Sequence, residues 1–97
     1  MKRNLNASLF DRKGEPNKSE PKTVRDACYL ALTAMNDADR VDGKEKYERY
    51  RLAKKIDSDG EVELSTEEIT RIKTCVGMIG GPLMVGQVYE LLETDPK

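Results

Sequence analysis

Apolar positions recur at helical spacing in four stretches of this chain and alternate with polar ones in two more. Across residues 23–35, Val24, Ala27, Cys28, Leu30, Ala31, Leu32, Ala34 and Met35 cover well over half of a helical wheel. A helix apolar over so wide an arc must be covered on more than one side, so it is expected at the centre of the fold. Residues 43–56 are apolar only along Leu52, Ala53 and Ile56, with Tyr50 at the edge, which predicts a surface helix. Residues 66–76 carry a clean stripe of Ile69, Ile72, Cys75 and Val76. Residues 82–93 begin with Pro82 at the favoured first helical position and present Met84, Val85, Val88, Leu91 and Leu92. Gly77, Gly80 and Gly81 supply the turn between the last two helices.

Three of these stretches open with one signature: Thr23-x-x-Asp26, Asp42-x-x-Glu45 and Ser65-x-x-Glu68. In each, a side-chain oxygen can accept from free backbone N–H groups, and an acid three residues on can reach back and favour the helix dipole. The alternating stretches are Leu5, Ala7, Leu9 within residues 4–10, and Val62, Leu64 after the Asp57-Ser-Asp-Gly60 turn. An isolated strand leaves its backbone groups unpaired, so residues 4–10 and 61–64 are expected to pair as a two-stranded patch. The predicted fold class is mainly α (α+β), with four short helices and that small β patch in one domain over residues 1–97. Residues 11–22 hold three acids, four bases and two prolines, and read as an exposed polar loop or partly ordered arm.

At 97 residues the chain has room for one core. Trp is absent and aromatics make up 5%, so that core must be aliphatic. Both cysteines, Cys28 and Cys75, lie on apolar stripes and read as buried thiols rather than a disulfide. The first ten residues lack the apolar region of a signal peptide, and the uncharged run from Cys75 is broken by four glycines and a proline. A membrane span needs about 17 or more predominantly apolar residues, so the expectation is a soluble intracellular protein with no membrane partner, and the sequons at Asn6 and Asn17 carry no meaning.

Candidate chemistry is thin. Setting Gly60 at the sixth position of a calcium loop brings Asp57, Asp59 and Val62 into register, but Lys55 falls at the first ligand position and Thr66 at the bidentate one. The segment reads as an Asp-Gly turn. Gly77-x-x-Gly-Gly-Pro82 lacks the preceding strand and the Lys-Ser/Thr of a nucleotide loop. Histidine is absent, which removes the commonest general base and metal ligand. Glu67 and Glu68 occupy the first turn of a capped helix, where acids are expected for the dipole alone. The reading is a non-enzyme with no metal and no cofactor. Gly86, inside the fourth helix at a cost of roughly 1 kcal/mol relative to Ala, predicts that another group packs closely against it.

Charged residues make up 36% of the chain yet leave a formal net charge of -1, which argues against bulk nucleic-acid binding. The charge is locally uneven. The second helix holds Lys44, Lys46, Arg49, Arg51, Lys54 and Lys55 against Glu45 and Glu48, and the wheel gathers Lys44, Tyr47, Arg51, Lys54 and Lys55 on its outward side. Basic residues around an exposed Tyr suit an acidic protein patch or phosphates, and a solvated face with Glu45–Arg49 and Glu48–Arg51 pairs is the plain alternative. On the fourth helix Leu83 and Tyr89 fall off the apolar stripe, suggesting a protein partner or a second copy of the chain.

Three stretches carry a resemblance: Gly43-Lys-Glu-Lys-Tyr-Glu-Arg-Tyr-Arg-Leu-Ala-Lys-Lys-Ile56, Glu61-Val-Glu-Leu-Ser-Thr-Glu-Glu-Ile-Thr-Arg-Ile-Lys73 and Pro82-Leu-Met-Val-Gly-Gln-Val-Tyr-Glu-Leu-Leu-Glu93. In that order they resemble a group of small, uncharacterised proteins encoded by tailed bacteriophages and prophages. The resemblance spans about residues 23–93 and rests mostly on core and capping positions. It implies a shared fold and a viral origin, and carries over no active residue. Such proteins are commonly accessory proteins that bind and redirect a host or phage protein in the host cytoplasm. The alternative is a minor virion-assembly component acting by self-association.

Overall fold

Cys28, buried with Val24, Ala27, Ala31 and Leu32, lies on the helix that the other elements close around. The computed structural model describes residues 1–34, 42–58 and 60–93. Among them the chain order is β1 (Lys2–Asn4), α1 (Val24–Thr33), α2 (Gly43–Ile56), β2 (Glu61–Glu63), α3 (Thr66–Ile79) and α4 (Pro82–Glu93). The fold is mainly helical, with one small antiparallel sheet. α1 packs against α2, α3 and α4, as its wide apolar arc requires. The arc is not wholly covered: Leu30 and Tyr29 stay exposed, and Met35 lies outside the described residues. The stripes of the other helices are buried at Leu52, Ala53 and Ile56 on α2, at Ile69, Ile72, Cys75 and Val76 on α3, and at Val88 and Leu92 on α4.

All three helix starts use the expected cap. The backbone N–H of Asp26 donates to the Thr23 hydroxyl at 3.1 Å, that of Glu45 to the Asp42 carboxylate at 2.9 Å, and that of Glu68 to the Ser65 hydroxyl at 3.1 Å. The reciprocal bond of a full capping box forms at Ser65, whose N–H donates to the Glu68 carboxylate at 2.9 Å. Glu45 points elsewhere, toward two arginines.

A two-stranded patch forms with residues 61–63 as one strand, but its partner is residues 2–4 and not the expected 4–10. β1 runs antiparallel to β2 with Lys2 opposite Glu63, Arg3 opposite Val62 and Asn4 opposite Glu61. The strand therefore lies at residues 2–4, ahead of the alternating stretch at 4–10. That alternation does mark a buried side, since Leu5 and Leu9 are wholly buried. Its backbone partners are different. The Asn4 side chain accepts from the Asn6 N–H at 2.9 Å and turns the chain. Leu5 and Ala7 carbonyls then accept from the first two N–H groups of α1, those of Arg25 and Val24, each at 2.9 Å. The polar segment 11–22 folds back on itself: the Asp11 carboxylate accepts from the Lys13 and Glu15 N–H groups, and the Asn17 N–H donates to the Leu9 carbonyl at 2.9 Å.

Among the described residues three arginines that composition assigns to solvent are buried, Arg3, Arg25 and Arg49, and the first two hold helix ends. Arg25 Nε donates to the Ile56 carbonyl at the C-terminus of α2 at 2.7 Å, and one terminal nitrogen donates to the Gly60 carbonyl just before β2, also at 2.7 Å. The other terminal nitrogen meets the Asn6 side chain. Arg3 Nε donates to the Leu92 carbonyl near the end of α4 at 2.7 Å. Each of these two guanidinium groups thus sits at a helix C-terminus, where unpaired carbonyls and the helix dipole favour a cation. Replacing Arg25 by Met roughly keeps the volume but strips partners from one buried carbonyl, that of Ile56, at about 1–3 kcal/mol, and from the partly buried carbonyl of Gly60 at less. Arg25→Met is therefore expected to lower the melting temperature by roughly ten degrees, taking about 4–8 °C per kcal/mol for a domain of this size. Arg25→Lys should recover only part of the loss, because one ammonium cannot span the fork. A melt of Arg25→Met within a few degrees of the parent would refute the staple.

Gly77 belongs to α3 rather than to the turn, since the helix continues to Ile79 and the Gly80 N–H closes it on the Val76 carbonyl at 2.9 Å. Its lack of a side chain makes room for α4. A Cβ at Gly77 would lie 2.8 Å from the Tyr89 hydroxyl, which donates to the Lys73 carbonyl at 2.7 Å. At Gly86 the expected close packing is absent: a Cβ added there would meet nothing within 4 Å, and the position faces solvent. The two glycines should respond oppositely to alanine. Gly86→Ala is expected to stabilise by about 1 kcal/mol through helix propensity alone. Gly77→Ala carries the same propensity gain but must push the Tyr89 hydroxyl off its carbonyl, so its melt should fall below that of Gly86→Ala; equal melts would show the Tyr89 contact to be idle.

Candidate functional site

α2 turns one side inward, with Leu52, Ala53, Ile56 and the apolar stem of Arg49 buried. The 3.6-residue period then carries Lys44, Lys46, Tyr47, Tyr50, Arg51, Lys54 and Lys55 outward, and all seven are exposed. The acids of the same helix are withdrawn. Glu48 is half-buried. Glu45 accepts from Arg49 Nε at 2.9 Å and from Arg71 of α3 at 3.0 and 3.1 Å. The fork from Arg71 holds the Glu45 carboxyl below its ordinary range, against an opposing effect of partial burial. The helix thus shows solvent a cationic face from which its own carboxylates are drawn back toward the body.

The tyrosines on that face lie against cations. Arg51 lies over the Tyr47 ring at 5.9 Å and Lys54 over the Tyr50 ring at 5.4 Å. The two rings lie 6.3 Å apart with an interplanar angle of 29°. Each cation–π contact at an exposed site contributes about 0.5–1 kcal/mol. Tyr47 and Tyr50 remain 57% and 53% exposed, so the cations lie against the rings without burying them. Tyr50, placed at the edge by the wheel, is a full member of the face.

Of the residues singled out from sequence, Lys44, Tyr47, Arg51 and Lys54 stand together here. Lys55 is drawn aside, its ammonium bridging both Glu68 oxygens of α3 at 2.9 and 3.0 Å. Burial works to raise the Glu68 carboxyl, but the Ser65 N–H and Lys55 outweigh it and hold it low. Tyr89 is half-buried between α3 and α4 and packs beneath the Lys73 ammonium at 5.3 Å. Leu83 is 53% exposed and edges a notch of about 320 Å³ with Leu9, Phe10, Asn17, Met84 and Gln87. Sequence reasoning missed this notch; its one signal was the solitary Phe10 beside a polar loop. The Gln87 amide holds the notch wall, accepting from the Phe10 N–H and donating to the Phe10 carbonyl, both at 2.9 Å.

Among the described residues no three of His, Cys, Asp and Glu cluster as a metal site requires. In the Asp57–Val62 segment, Asp59 lies outside those residues, and the Gly60 carbonyl is taken by the Arg25 guanidinium. Cys28 and Cys75 are buried and form no disulfide, and burial pushes the Cys28 thiol up to about 12, out of reach of nucleophilic chemistry. No helix among the described residues is long and apolar enough to cross a membrane. No family model matches the chain, and neither a curated protein nor a solved structure matches it.

The Glu45–Arg71 and Lys55–Glu68 bridges tie α2 to α3 through carboxyls whose folded pKa lies below the ordinary value of 4.5. Such groups contribute stability that is fully present above the ordinary value and is lost as pH falls through the folded one. Melting temperature should therefore stay level from neutral pH to about 5 and decline below about 4.5. Glu45→Gln should melt lower at pH 7 and show a shallower acid decline. An unchanged acid limb in that variant would remove Glu45 from the linkage.

Proposed function

We propose that this chain is a phage-encoded, non-enzymatic protein that acts in the host cytoplasm by binding another protein, of host or phage, through the outer face of α2. One observation carries the reading: Lys44, Lys46, Arg51 and Lys54 surround two exposed tyrosines while the acids of the helix are drawn back toward the body. Tyrosine and arginine are what interface centres enrich, and rings already held by cations lose little freedom on docking. The reading involves no metal, cofactor or nucleic acid.

The test is affinity capture from a bacterial lysate with the full chain and with Arg51→Glu/Lys54→Glu. Both positions are exposed, so the double variant should stay folded while melting several degrees below the parent for the loss of two cation–π contacts. A protein retained by the parent and lost by the variant is the expected result, with light scattering showing a monomer. The second reading, virion assembly by self-association, draws on the exposed Leu83 and Phe10 at the notch. A closed oligomer dispersed by Leu83→Asp, with no protein captured, would move the function there.

A further inference from the structure

Resting on that reading, we propose that the surface recognised by α2 is an acidic amphipathic helix of about three turns, laid along the Tyr47–Tyr50 column with its carboxylates over the flanking cations. The layout of the face argues for it. Lys44 and Arg51, seven residues apart, stand on one side of the tyrosines, Lys46 stands on the other, and Lys54 closes the C-terminal end. On a helix seven residues span about 10.5 Å, which a facing helix matches with acids at i and i+7. The two rings, three residues apart, form an apolar centre between cationic borders. That is the inverse of a helix with an apolar stripe flanked by acids, and helices recognised along their length are read through i, i+3, i+4 and i+7 positions.

The length follows from what bounds the strip. Asp42 caps the N-terminus of α2 and Asp57 caps its C-terminus, both exposed. From Lys44 to Lys54 is ten residues, about 15 Å, and a longer polyanion would run into an aspartate at either end. The same boundary disfavours a phosphate backbone, whose charges continue past both ends. The rings give a second reason. Single-stranded nucleic acid is gripped by bases stacking on open aromatic faces, whereas here Arg51 covers Tyr47, Lys54 covers Tyr50 and the rings lie against one another. A base would have to displace a cation to stack; a carboxylate meets that cation directly while an aliphatic side chain packs on the exposed ring edge.

The experiment is an amide NMR titration of the full chain with four synthetic probes: a three-turn Leu/Glu amphipathic peptide, its scrambled isomer, the Leu/Lys counterpart, and a short oligothymidylate. Shifts confined to the outer amides of α2 and the Tyr47 and Tyr50 rings are expected with the Leu/Glu peptide alone. Its affinity should fall about tenfold or more between low salt and several hundred millimolar, as screening shortens the reach of exposed charges. It should fall comparably in Arg51→Glu/Lys54→Glu. Equal binding of the scrambled peptide overturns the helical partner, and tighter binding of the oligothymidylate replaces it with single-stranded nucleic acid. If the Leu/Glu peptide leaves α2 unshifted while the lysate partner is still lost on charge reversal, the acidic helix falls and the protein-binding reading stands. If the lysate partner is also insensitive, both fall.

Discussion

The contacts of the Arg25 guanidinium are the constraint on which the rest of the structure depends. This one side chain begins on the first turn of α1 and reaches the end of α2, the approach to β2 and the turn after β1. Four separate segments meet on it. Burying a guanidinium is costly unless its donors are used, and here each nitrogen finds an oxygen. Because the acceptors are mainly backbone carbonyls, no carboxylate partner is needed inside the core. Arg3 repeats the device on α4. The helices of this small domain are thus joined by hydrogen bonds across their ends as well as by apolar contact along their sides.

That device explains what the sequence concealed. The stripes of α3 and α4 were legible because apolar and polar positions alternate sharply there, and Ile69, Ile72, Cys75, Val76, Val88 and Leu92 are all buried. The caps were legible because they are local. The role of Arg25 was not, since nothing within a few residues of it marks a charged side chain for burial; its partners lie 31 and 35 residues away. The placement of the N-terminal strand at residues 4–10 failed for a related reason. Alternation in Leu5, Ala7 and Leu9 reports which side is buried, but it is silent on which backbone supplies the hydrogen bonds, and those came from α1 and the loop before it. Leu30 shows the converse limit, an apolar residue whose angle on α1 no element among the described residues covers.

At the candidate site the division falls the same way. A wheel suffices to place Lys44, Tyr47, Arg51 and Lys54 on one side of α2, because that is a matter of helix period. It could not show that Lys55 is bound to Glu68, that Glu45 is held by Arg71, or that Tyr89 hangs from the Lys73 carbonyl. Each depends on a side chain from another helix. The ion pairs matter to the surface as well as to stability, since Glu45, placed toward the body by the helix period, is neutralised there by Arg49 and Arg71.

The position of β1 in this architecture bears on how the domain is made. Helices α1 to α4 are built from neighbouring residues and can form as they emerge. The strand ahead of them has no such neighbours: Arg3 waits for Val62 across the sheet and for the Leu92 carbonyl, 89 residues downstream. Since synthesis runs from the N-terminus, the segment made before all four helices has its full set of partners only once the end of α4 has been made. Until the end of α4 has left the ribosome, Leu5 and Leu9, wholly buried in the finished protein, have only part of their cover. The Arg3 contact that joins the two ends of the domain is tied to the emergence of α4.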